Sequence, residues 1–347
     1  MSEIHAQKPV LTNEVLEDVN DEDFVFVQQD KKLVDETYAA TSSARDIWLH
    51  FKKNKGAVAG LIIILIIILL AIFGPMFSGY ASEAIVQAEQ SLPPRIQGLE
   101  KIGFFRGIEN GKNVYAAKGF TDIYHWFGTD TNGRDLFTRV WEGTRVSLII
   151  AFSAAAIDIV IGMSYGLISG YFGGKVDMVM QRIVEILNGI PTLVAVTLLG
   201  LVLPRGILTI IFALMITGWI GMSRIARAEM LKLKESEYVL ASKTLGASSF
   251  HIIFKDIMPN IFGQLIVMSM FSIPNAIFTE AFLSFVGLGI TPPQASLGAL
   301  ISDGYKSMTI HPYIMIAPII VLALLMLSFN LFADGIRDAF DPNQKQS

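Results

Sequence analysis

Cysteine is absent from the 347 residues. Structural disulfides, thiolate metal sites and a lipid-modified cysteine are therefore excluded, while the redox compartment is left open. Histidine is scarce too: five copies, scattered, with no metal-ligand spacing and no nucleophile motif beside them. Charged residues make up only 17% of the chain and the net charge is −4, so nothing global points to nucleic acid. A nucleotide-binding loop is also missing. The nearest approach, Gly107-Ile108-Glu109-Asn110-Gly111-Lys112-Asn113, has one residue too few between its glycines, and Asn where a metal-binding Ser or Thr must follow the Lys. No catalytic, cofactor or metal set is expected.

Apolar residues are what the chain has in quantity, 52% of it, and they come in runs. Residues 57–73 contain no ionisable group, and with residues 74–77 they reach the roughly 20 residues that a helix needs to cross the hydrocarbon core. Gly74-Pro75 marks the exit of that span. Further runs lie at about 146–170, 183–203 (with Pro191 inside), 207–222, 260–285 and 312–333. The expected fold class is an all-α polytopic membrane protein with six transmembrane helices. Arg45, Lys52, Lys53 and Lys55 precede the first span and place the N-terminus in the cytoplasm, and six crossings return the C-terminus there. The short basic connections then lie inside, in agreement with that orientation.

The charge distribution divides the rest. Residues 1–46 carry eleven Asp or Glu against four Lys or Arg, a net −7 that leaves +3 for everything after them. Residues 1–44 read as an acidic, mostly disordered cytoplasmic tail, and not as a signal peptide, which would begin basic. The expected boundaries are then 45–77 for the flank and first span, 78–144 for an insert on the outside, 145–334 for a core of five spans with a loop at 223–259, and 335–347 for a cytoplasmic C-terminal tail.

Within that loop, residues 228–259 form a charged interval between apolar runs. Tyr238, Ala241 and Leu245 share one helical face. Gly246 can take positive φ and end that helix, and Ser248 or Ser249 can cap the next. Phe250, Ile253, Phe254 and Ile257 then repeat as an apolar stripe, and Pro259 ends the pair or turns it into a new segment. Alone, this is either a bent docking element or an ordinary interfacial helical hairpin.

The interval resembles the cytoplasmic EAA loop of permease subunits of ATP-binding-cassette importers. Gly246, Met258 and Pro259 fall at that pattern's spacing and Ala241 holds its first Ala, while Leu240 stands for Glu, Ser242 for the second Ala and Asp256 for an apolar residue. The loss of Glu at Leu240 removes a charge that could face an ATPase. Other stretches resemble the same family: His125-Trp126-Phe127-Gly128-Thr129-Asp130 with Gly133-Arg134-Asp135, Gly170-Tyr171-Phe172-Gly173-Gly174, Gly218-Trp219-Ile220-Gly221 with Arg224 and Arg227, the run 279–289, and the ending 329–342. Across residues 45–77 and 125–343 the chain is similar to the dipeptide/oligopeptide permease family, on the branch of its second permease subunit.

That resemblance implies a type I importer permease fold with a coupling-helix loop, in a bacterial plasma membrane. It implies a heterodimer with a second permease, two ATPase subunits beneath, a peptide-binding protein outside, and peptide as the substrate. Ala241, Ser242, Gly246, Ala247, Phe250 and Pro259 are the expected coupling residues; for Phe250, packing against this chain's own spans is the other reading. Ionisable residues at membrane depth face a cavity or a partner. Asp158 and Glu280 are therefore expected pore-lining residues, with a link to the partner permease open for Asp158. Asn275 joins them because it lies in the kinked polar stretch after Pro274, which suits a water-filled path. Glu185 is expected to be hydrated or paired with Arg182. A proton-coupled secondary carrier of peptides or other small solutes is the alternative; it would use Asp158 and Glu280 but leave the 228–259 loop without a role.

Overall fold

The computed structural model describes residues 43–101 and 103–340. The acidic tail expected at 1–44 and the end of the C-terminal tail at 341–347 fall almost wholly outside the described residues. The chain divides into residues 1–46 and 47–347. Of the first unit only the opening turn of α1 (Ser43–Lys53) is described, and every later element belongs to the second.

Five helices are long and apolar enough to cross a membrane, by length and composition: Lys55–Ser78, Leu136–Phe172, Ile207–Leu233, Ser249–Phe285 and Tyr313–Phe340. A sixth crossing is made only if the pair Gly174–Asn188 and Thr192–Val202, bent by 79°, counts as one span. The sequence predicts an unbroken third span there. It is broken because Pro191 is extended, at φ −61° and ψ 133°. Its ring has no N–H to continue the preceding helix and excludes the carbonyl four residues back.

The first span, α2 (Lys55–Ser78), begins at Asn54, whose side chain accepts the Ala57 N–H at 3.1 Å. Ala57, Gly60, Ile64, Ile67, Ala71 and Gly74 face the protein. Ile62, Leu65, Ile66, Leu69 and Ile72 stay exposed on the other side, the face that a bilayer would cover. The helix does not leave at Gly74-Pro75; it continues to Ser78 and stops at Gly79, which has φ +71°. Pro75 leaves the Ala71 carbonyl without its helical donor. Arg145 fills that vacancy, with Nε at 3.0 Å and Nη2 at 2.8 Å from Ala71 O.

In the insert, a two-stranded hairpin, β1 (Ile108–Glu109) and β2 (Lys112–Asn113), is followed by the short helix α3 (Val114–Ala117). The His125 to Asp135 stretch is the insert's polar centre. Buried His125 lies between Asp135, at 2.8 Å, and Glu89, at 3.2 Å. Asp130 accepts from the Asn132 and Arg134 backbone N–H groups and from Arg134 Nε at 2.6 Å. Tyr115 donates to Pro93 O at 2.9 Å, and burial pushes its hydroxyl above the ordinary range, so it stays a donor.

The second span joins α4 (Leu136–Ile157) to α5 (Ser164–Phe172) through a π-helical segment, Asp158–Met163. Then come α6 (Gly174–Asn188), α7 (Thr192–Val202), α8 (Ile207–Thr217) and α9 (Ile220–Leu233). Beyond them lie α10 (Glu237–Thr244), the single turn α11 (Ser249–His251), α12 (Met258–Phe285), α13 (Leu297–Lys306) and α14 (Tyr313–Phe340). One core gathers Ile64, Phe137, Trp141, Ile277, Leu325 and Phe329 from α2, α4, α12 and α14. A second one joins Leu167, Met222, Met230, Val239, Ile253 and Ile257 around the α10–α11 hairpin. The first core sets the spans at membrane depth, and the second holds the hairpin against them.

Candidate functional site

The hairpin is built on the second core. α10 ends as its last carbonyls are taken by the chain that turns back: Gly246 N donates to Lys243 O and Ala247 N to Ser242 O, each at 3.0 Å. Gly246 makes that turn at φ +82°, with open space around it. Ser248 then accepts the His251 N–H at 3.3 Å and starts the next helix. The bend and the cap are where the sequence predicts them.

Pro259 does not end the pair. It sits in the first turn of α12, and the helix runs from Ser249 to Phe285 as one rod. The reason is the π-helical segment Ile252–Ile257 just before it, whose wider turn makes room for a ring that a regular helix would exclude. The second arm of the hairpin is therefore continuous with the fifth span.

The apolar stripe divides. Ile253 and Ile257 are buried in the second core with Ile252, while Phe250 is 72% exposed, its ring 4.6 Å from that of Phe254. On α10 the face of Tyr238, Ala241 and Leu245 points outward, and Val239, which the periodicity did not single out, is the buried anchor. Leu245 at 88% and Leu240 at 50% join Phe250 as exposed apolar side chains. Gly246 and Pro259 are also exposed, and Ser242 and Ala247 are half-buried. Asp256, where the loop pattern has an apolar residue, is half-buried with Oδ2 unpartnered; His251 Nε2 lies 3.6 Å from its Oδ1.

Just before the hairpin, α9 is tied to α6 by an ion pair that the sequence did not reveal. Arg227 donates to both oxygens of Asp177, through Nε at 2.6 Å and Nη2 at 2.5 Å. Asp177 also accepts from Ser169 at 2.5 Å, and Gln181 donates to Ser169 at 3.0 Å. α9 and α5 can approach because Gly162, Gly166 and Gly170 lie at four-residue spacing; a Cβ on Gly170 would stand 2.9 Å from the Arg227 carbonyl.

At membrane depth the three expected polar residues separate. Asp158 and Asn275 line one cavity of about 70 Å³, with Leu214, Gly218, Ser272 and Thr279. Glu280 is elsewhere and does not line it. Its side chain is fully buried, accepting from Ser147 at 2.8 Å and Ser284 at 2.7 Å. Ser296, which caps α13, donates to Ser284 at 3.2 Å, so Glu280 joins α4, α12 and α13. Glu185 pairs with Arg182 at 2.5 Å, both exposed, as expected. Among the described residues no group of His, Asp or Glu is arranged to hold a metal ion.

Residues 162–346 match the family described as binding-protein-dependent transport system inner membrane component, and residues 42–94 match the N-terminal TM domain of oligopeptide transport permease C. The chain is 44% identical over 302 residues to the oligopeptide transport system permease protein OppC of Bacillus subtilis, covering 87% of this chain and 90% of that one. It is 41% identical over 330 residues to the dipeptide transport system permease protein DppC of the same organism, covering 94% and 95%. The Escherichia coli K12 oligopeptide transport system permease protein OppC is 38% identical over 305 residues, 87% of this chain and 93% of that one. A solved structure of the MetNI methionine ABC transporter, inward facing, overlays on 58% of this chain and 97% of its own at a TM-score of 0.49 and 19% identity. The chain belongs to the binding-protein-dependent transport system inner membrane component family: it is an integral membrane permease subunit of an ATP-driven importer, not a proton-coupled carrier, and ATP hydrolysis is the work of separate ATPase subunits.

Proposed function

We propose that this permease imports peptides across a bacterial plasma membrane, paired with a second, different permease chain, above two ATPase subunits and beneath an external peptide-binding protein. The observation that carries the coupling part is the hairpin's construction. Leu240, Leu245 and Phe250 are exposed, yet they stand on a scaffold whose inner face is fully buried and continuous with α12. An apolar edge held rigidly in this way suits a groove on another protein better than it suits water. In this reading Ala241, Ser242, Gly246, Ala247, Phe250 and Pro259 form the contact and its bend, and closure of the ATPase pair is passed to the spans through the rod that begins at Ser249. The insert then lies outside, and the acidic tail and C-terminus lie in the cytoplasm.

The path is proposed to run past Asp158 and Asn275, whose cavity is formed by the second, fourth and fifth spans. Glu280 holds the second and fifth spans and α13 together from outside the path. The test is uptake of labelled di- and oligopeptides by cells that depend on this importer. Uptake should be lost on deletion of the chain, lost on ATP depletion, and kept when only the proton gradient is collapsed. Full uptake without the chain would sink the peptide assignment.

A further inference from the structure

Three departures from regular helix meet at the Asp158 cavity. The second span widens into its π-helical segment at Asp158 itself. The fourth span has a two-residue interruption of its regular helix at Gly218 and Trp219, between α8 and α9. α12 carries Pro274, which cannot donate to the Met270 carbonyl. Irregular backbone at membrane depth persists where it borders a polar cavity, and π-segments within long helices are frequent at functional sites.

The side chains around that cavity are rich in acceptors and poor in positive charge. Asp158 is 6% exposed, and Ser272 lines the same cavity beside it. Among the described residues no Lys, Arg or His forms an ion pair with it. Thr279 spends its hydroxyl proton on the Asn275 carbonyl, at 2.8 Å, which leaves the Thr279 oxygen able only to accept. Asn275 adds an amide, whose oxygen can accept from a cation and whose N–H groups can donate to Asp158. A carboxylate, an amide oxygen and a hydroxyl oxygen around one small space match the three donors of a primary ammonium. A buried carboxylate facing such a space is costly unless a cation shares it.

We infer that this cavity is a binding site for a primary ammonium. With the cavity bordering a peptide path, as proposed for this permease, the ammonium is the amino terminus of the transported peptide. The volume, about 70 Å³, takes the charged end of a chain and leaves the remainder in the path.

The absence of native cysteine permits a direct test on the complete importer in liposomes. Asn275→Cys is treated with a cationic thiol reagent, 2-aminoethyl methanethiosulfonate, and with its anionic 2-sulfonatoethyl counterpart. Modification of this chain is followed by mass, and each rate is divided by the reagent's rate with a free thiol. The cation should react faster, and adding Asp158→Asn should lower the cation-to-anion ratio about tenfold. During ATP turnover a free-amino dipeptide should protect the thiol, whereas its N-acetylated form and sodium chloride should not. Protection by ammonium chloride alone would assign the site to small ammonium ions rather than to peptide. A ratio unchanged by Asp158→Asn, or a thiol that neither reagent reaches, would overturn the inference. An unchanged ratio with poor recovery of the assembled complex would assign Asp158 to the partner permease instead, which also overturns it. The charge ratio needs no transport. A large ratio without peptide protection would therefore keep the ammonium site while removing the peptide reading.

Discussion

Arg145 supplies to the Ala71 carbonyl the hydrogen bonds that Pro75 cannot, through Nε at 3.0 Å and Nη2 at 2.8 Å. The proline is thus accommodated inside the first span by a side chain on the second. Arg145→Leu should leave that carbonyl unpaired and cost about 1–3 kcal/mol. In Pro75→Ala the helical N–H returns, so adding Arg145→Leu to it should cost clearly less. Thermal unfolding of the four variants in detergent gives the cycle. Equal costs in both backgrounds would mean that Arg145 acts by packing alone.

At the hairpin, Gly246 has φ +82° and nothing within 4 Å of where a Cβ would stand. A substitution there meets backbone strain and no clash. Gly246→Val should therefore cost about 1–2 kcal/mol at the bend, while Gly246→Asn should be tolerated, since Asn visits that region. Uptake and recovery of the ATPase subunits on affinity purification should fall together in the Val variant and stay near normal in the Asn variant. Equal behaviour of the two would remove the bend from the mechanism.

Orientation can be read with single cysteines in a chain that has none. Ala117, exposed at the end of α3, and Glu237, exposed at the start of α10, avoid both the positive-φ turn at Asn110 and the cap at Ser248. In intact cells an impermeant maleimide should label Ala117→Cys and spare Glu237→Cys until the membrane is permeabilised. Reversed labelling would invert the proposed topology and place the hairpin outside.

Much of this architecture was legible in the sequence because it depends on local chemistry. Ionisable groups are excluded from residues 57–73, Gly246 is free to take positive φ, and Ser248 can cap; none of these needs a distant partner. What escaped depends on residues far along the chain. Pro75 looks like an exit until Arg145 is seen to complete its helix, and Pro259 looks like a stop until the π-helical turn before it makes room. Arg227 and Asp177 were visible as separate charges, and their pairing needed three glycines to bring α5 and α9 together. Periodicity chose the Tyr238 face of α10, but the core lay on the Val239 side.

Glu280 shows the same dependence on distant partners, and its burial makes a sharp prediction. Its carboxylate accepts from Ser147 on α4 and Ser284 on α12, and Ser284 in turn accepts from Ser296 at the start of α13. All four side chains are buried. Around them the backbones approach closely: a Cβ on Gly143 would stand 3.1 Å from the Ser296 carbonyl carbon. Glu280→Gln keeps one acceptor oxygen and adds an amide that must find a partner; Glu280→Ala removes both acceptors and opens a void. The Ala variant should lose about 3–5 kcal/mol, from unpaired hydroxyls and the cavity together. The Gln variant should lose less, and Glu280→Ala with Ser147→Ala should recover part of the loss by removing one stranded donor. Thermal unfolding separates these values, and peptide uptake at a permissive temperature separates structure from transport. If Glu280 only holds the three helices, a variant that folds should keep the cation-to-anion thiol ratio at Asn275→Cys. A ratio that fell in a well-folded Glu280→Gln protein would return Glu280 to the path.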